Sequence, residues 1–148
     1  MGLDMYLTRN NDVEVGYWRK ANSIHKWFVK HVQKGSDNCA RYRVSLKDLT
    51  LLKQTVLEVL ENSKLVDGKV VNGYTFKDGQ KIPMLEDGEI IEDSTVAEKL
   101  LPTESGFFFG STDYDIYYYE DLENTVEIID DLIATHTPGD TYYYQSSW

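Results

Sequence analysis

The chain has 148 residues, 41% of them hydrophobic, which suffices for a single domain, residues 1–148, with one core. Its 25 acidic and 15 basic residues leave a net charge of −10, which argues against a nucleic-acid-binding surface over the whole molecule. A single cysteine, Cys39, excludes an internal disulfide, no apolar run reaches membrane-spanning length, and no signal-peptide pattern opens the sequence, so a cytoplasmic, membrane-free protein is expected.

Leu3 to Thr8 reads as a short strand with Leu3, Met5 and Leu7 on one side, followed by an Asn10-Asn11-Asp12 turn that also offers helix caps. Val15 to Val32 then places Val15, Tyr17, Trp18, Ala21, Ile24, Phe28, Val29 and Val32 on one half of a helix. Asn22 and His25 interrupt that apolar arc beside Trp18. A buried amide and imidazole are costly unless hydrogen-bonded, so protein or ligand must satisfy them. The helix is expected to stop near Gly35. Arg41 to Val44 is a second strand candidate, and Ser45 with Asp48 starts a helix with the apolar stripe Leu46, Leu49, Leu52, Val56, Val59 and Leu60.

Residues 65–93 change character. Asp67-Gly68, Asn72-Gly73, Asp78-Gly79 and Asp87-Gly88 separate short β-prone pieces, which predicts an inserted pair of hairpins or one irregular β excursion. Ser94 starts a short helix that Pro102 ends, and Phe107 to Phe109 read as a buried strand. Ser111, Thr112 and Asp113 are expected to cap a last helix from about Tyr114 to Ala134, and Thr141 to Trp148 alternates like a terminal strand returning beside the first. The fold expected is α+β: three main helices packed with a small antiparallel sheet, plus an inserted β-hairpin region.

Charge is unevenly spread, with five bases and no acid over 19–34, and eight acids and no base over 113–131. The two segments either pair or form opposite faces. No HxH, HxxxH or CxxC spacing marks a metal site, and a Cys39–His25 nucleophilic pair needs folding to bring it together. The candidate ligand site is Tyr17, Trp18, Arg19, Asn22, His25, Ser111 and Thr112. An aromatic ring stacks on a base, Asn22 and His25 hydrogen-bond it, Arg19 grips phosphate, and Ser111 and Thr112 sit at a helix start where backbone N–H groups attract anions.

The opening MGLDMYL, YWRKAN-x-IH-x-WF over 17–28, Cys39 before a tyrosine, LLPT-x-SGFFFGSTDYD over 100–115 and the closing YYYQSSW resemble a family of small uncharacterised bacteriophage-encoded proteins. The resemblance spans nearly the whole chain, and some members pass almost directly from the second helix to LLPT. It implies a phage protein working in a host bacterial cytoplasm, and it carries over no catalytic residue or cofactor. The expectation is a non-catalytic protein that binds, and by analogy sequesters, a small molecule such as a nucleotide signal of antiviral defence. The alternatives are an acidic module that inhibits a host protein, and a small enzyme with His25 as general base. A homo-oligomer is compatible with each.

Overall fold

The computed structural model describes residues 2–148, an α+β fold with two antiparallel sheets. In chain order the elements are β1 (Asp4–Arg9), β2 (Val13–Arg19), α1 (Asn22–His31), β3 (Tyr42–Val44), α2 (Leu46–Glu61), β4 (Leu65–Lys77), β5 (Gln80–Ile91), α3 (Thr95–Leu100), α4 (Ile116–Ala134) and β6 (Tyr142–Ser147). The main sheet has the order β2-β1-β6-β3, so the first and last strands form its centre, with Asp4 opposite Ser147 and Arg9 opposite Tyr142. The terminal strand does lie beside the first.

Strand alternation sends Leu3, Met5, Leu7, Trp18, Val44, Tyr142 and Tyr144 into the core. Helix α1 stacks Phe28 on Tyr144 with ring centroids 3.9 Å apart. Helix α4 crosses β2 at Gly16, where a β-carbon would come within 2.6 Å of the Ile128 side chain. Only glycine leaves room for that crossing. Helix α2 packs against α4, and the Ser45 hydroxyl accepts the Asp48 N–H as its capping residues predict.

Three expected elements are corrected. The helix predicted from Val15 begins at Asn22, because Val13 to Arg19 pair with β1 as a strand. Lys20, at φ 56°, turns the chain between the two, with its N–H on the Leu3 carbonyl. The strand predicted at Phe107 to Phe109 is a loop whose carbonyls bond elsewhere: Phe108 accepts the Leu3 N–H and Phe109 accepts the Asn22 side-chain amide. Ser111, Thr112 and Asp113 do not cap the last helix. Asp115 does, accepting from the Tyr117 and Tyr118 N–H groups at 3.0 and 3.2 Å.

Residues 65–91 form one long hairpin rather than two, and only Asp78-Gly79 turns it, both residues at positive φ. Gly68 and Gly88 face each other across the strands and are glycines for packing. A β-carbon on either would meet the Ile90 or Val70 side chain within 2.8 Å. The base of the hairpin belongs to the core through Ile91, which is buried and donates its N–H to the Tyr114 carbonyl. The outer half is open to solvent, with Phe76 77% exposed.

Candidate functional site

The predicted constellation divides between three places. Neighbouring residues on a strand point to opposite faces, so Trp18 enters the core while Tyr17 and Arg19 stay on the outer face. Trp18 is 2% exposed and donates its indole N–H to the Thr125 hydroxyl at 2.9 Å. Tyr17 and Arg19 both bond the Asp4 carboxylate, the guanidinium at 2.8 Å, and the Tyr17 hydroxyl, then Arg19, hold that carboxyl below its usual range. One ligand cannot stack on Trp18 and reach Arg19 without unfolding the sheet.

Asn22 and His25 are 3% and 0% exposed, and protein groups satisfy both. The Asn22 amide donates to the carbonyls of Phe109 and Ser111 at 2.8 and 2.9 Å, and its Oδ1 accepts the Glu104 N–H at 2.9 Å. This one side chain therefore fixes the 104–111 loop. His25 Nε2 lies 3.0 Å from Asp37 and Nδ1 lies 2.6 Å from the Tyr144 hydroxyl. Burial pushes the Tyr144 hydroxyl well above the ordinary tyrosine range, so it stays protonated beside Nδ1. Asp37 also accepts the Trp148 indole N–H at 3.0 Å. Both ring nitrogens are thus engaged by protein groups, the Tyr144 hydroxyl and the Asp37 carboxylate.

Ser111 does reach a cleft that sequence reasoning did not assemble. The outer half of the β4–β5 hairpin and the 106–111 loop enclose about 300 Å³, lined by Lys20, Tyr74, Lys81, Phe107, Phe108 and Ser111 among others. That volume lies at the lower end of small-molecule sites. Lys81 sits 4.0 Å from the centre of the Tyr74 ring, and Phe107 is 94% exposed. The Lys20 stem packs on Gly110, where a β-carbon would meet it at 3.2 Å. Neither lysine has a carboxylate within 4 Å among the described residues, and no acid lines the cleft. Thr112 does not line the cleft; its carbonyl accepts from the Thr103 hydroxyl.

The basic segment and the acidic last helix do not pair: among the described residues the ion pair on α4 is Lys53–Asp130, from α2. Among the described residues no group of three or more His, Cys, Asp or Glu is arranged to hold a metal ion, and no helix is long and apolar enough to cross a membrane. No protein-family model, curated protein or solved structure matches the chain.

One acid on α4 is strongly perturbed. Burial, aided by the nearby Asp115 and Glu120 carboxylates, pushes Asp121 up to about 7. A carboxyl raised in the folded state binds a proton there that the unfolded chain releases, so its contribution to stability is complete below about pH 4 and lost as pH rises towards 7. Asp121→Asn is therefore expected to be more stable than the parent at pH 8, by about 1–2 kcal/mol after allowance for partial solvent access, and to match it at pH 4.5. Thermal unfolding at both pH values checks this. A difference independent of pH would refute the assignment.

Proposed function

We propose that this chain is a phage accessory protein that binds a small phosphorylated molecule of the nucleotide class, without transforming it, and so withholds it from the host. The observation that carries the reading is the pairing of Lys20 with Lys81 beside Tyr74 and Phe107, with no acid in the cleft of a protein that is otherwise strongly acidic. Two ammonium groups offset phosphate charge, and exposed aromatic faces supply a stacking surface for a base. The phage origin rests on the motif resemblance, and sequestration on analogy. Tyr17, Trp18, Arg19, Asn22 and His25 leave the contact set in this reading, and Asn22 becomes the residue that positions the Ser111 side of the cleft.

Calorimetry against mononucleotides, cyclic dinucleotides and cyclic ADP-ribose-like molecules tests it. Lys20→Ala and Lys81→Ala are each expected to weaken binding about tenfold, since a charge-assisted contact contributes about 1.5 kcal/mol, whereas exposed Lys34→Ala changes it less than about twofold. The ligand should be recovered chemically intact after denaturation. No heat and no thermal shift across the panel would overturn the reading and favour the acidic interaction module, for which the solvent-facing Glu120, Glu123 and Glu127 of α4 are the natural contact surface.

A further inference from the structure

A second basic cleft lies on a different part of the molecule. Helix α1 places Lys26 and Lys30 one turn apart, and α3 brings Lys99 to the same narrow opening, with Ser23, Trp27 and His31 completing it. The end of α3 is fixed in place: Leu101 is fully buried and its carbonyl accepts the Tyr118 hydroxyl at 2.8 Å. Trp27 and His31 stack with centroids 4.6 Å apart, so the imidazole is held against the wall. Ser23 is 3% exposed, and what remains accessible of it borders the opening.

The charge arrangement is what requires an explanation. Like charges at i and i+4 destabilise a helix by a few tenths of a kcal/mol, and Lys99 adds a third cation across the opening. Acids outnumber bases 25 to 15 in this chain, yet none of these lysines has a carboxylate within 4 Å among the described residues. The cleft encloses about 100 Å³, roughly the liquid volume of three waters, which suits a tetrahedral oxyanion and is too small for a nucleoside.

We propose that Ser23, Lys26, Lys30 and Lys99 form a binding site for phosphate or the phosphate end of a phosphomonoester. The three ammonium groups supply the charge and the Ser23 hydroxyl donates to a phosphate oxygen. His31 completes the site as a responsive group. Burial and then Lys30 hold its imidazole below the ordinary histidine range, while Asp48 of α2 pulls the other way. An anion seated among Lys26, Lys30 and Lys99 offsets the Lys30 charge at the ring and favours the imidazolium.

The test is proton NMR titration of the histidine ring signals of the full chain, with inorganic phosphate against chloride at equal ionic strength. His31→Gln supplies the assignment. With phosphate present, the His31 midpoint is expected to rise by about half a pH unit, a modest shift for an opposite charge at close range. The His25 and His136 signals are the internal controls and should not respond. The Lys26→Ala/Lys99→Ala double variant should abolish the response, and Lys20→Ala/Lys81→Ala should leave it intact. An equal response at all three histidines, or one that survives the Lys26/Lys99 change, overturns the site. Because the probe is phosphate alone and the reporter is His31, this outcome is independent of whether the Lys20–Lys81 cleft takes a nucleotide.

Discussion

Asn22→Asp exchanges one NH2 for an oxygen and is expected to destabilise the fold by about 3 kcal/mol, lowering the thermal midpoint by about 10 °C. The Asn22 amide donates to two carbonyls, and in the variant a carboxylate oxygen faces both of them. The carbonyls of Phe109 and Ser111 lose their donor, and the charge has little water to turn to at a position only 3% exposed. The Glu104 N–H retains an acceptor, so Asn22→Ala, which removes all three bonds, separates lost bonding from added charge. Thermal unfolding gives the magnitude, and limited proteolysis within 104–111 should quicken in both variants. A midpoint within about 2 °C of the parent would mean that the loop is held by something other than Asn22.

Trp18→Ala should cost more, about 3–5 kcal/mol, because it opens a large cavity between sheet and helices and takes from the Thr125 hydroxyl the indole N–H it accepts. Trp18 meets Phe28 edge-on at 5.9 Å as well as bonding α4, so two helices lose their common contact. Trp18→Phe keeps most of the apolar volume and loses the hydrogen bond, for an expected cost of about 1–2 kcal/mol. The two variants should fall in that order in chemical denaturation. A Trp18→Ala protein of unchanged stability but lost ligand affinity would restore Trp18 as a stacking residue and contradict the core role.

Sequence patterning located the buried polar pair but misjudged the element that carries Tyr17, Trp18 and Arg19. Trp18, Ala21, Ile24 and Phe28 do converge on one core, and that convergence imitates helical spacing. The break falls at Lys20, whose positive φ has no signature in a lysine, unlike the same conformation at glycine. Alternation of Val13, Val15 and Tyr17 against Gly16 and Trp18 was available as a strand signal, with Gly16 reading as a breaker until α4 is seen to cross it. The three phenylalanines misled for a related reason. The carbonyls of Phe108 and Phe109 are bonded by the Leu3 N–H and by the Asn22 side chain, the latter 87 residues from Phe109, and no local pattern reports such partners. The Lys20–Lys81 cleft was likewise invisible, because it depends on where the outer hairpin comes to rest against the 106–111 loop.

The central pairing of β1 with β6 sets the order in which this molecule can be made. The β1–β2 hairpin, the first two helices and the β4–β5 ribbon all leave the ribosome before residues 142–147 do, at roughly 5–20 residues per second. Until then Phe28 has no Tyr144 to stack on, His25 has no hydroxyl at Nδ1, and β3 has no neighbour. Closing a loop that long costs only slowly growing entropy, and the pairings of β6 with β1 and β3 form only once it closes. The main sheet is therefore completed only when β6 slots between β1 and β3, and until then the apolar face of β1 lacks the Tyr142 and Tyr144 side chains beside it.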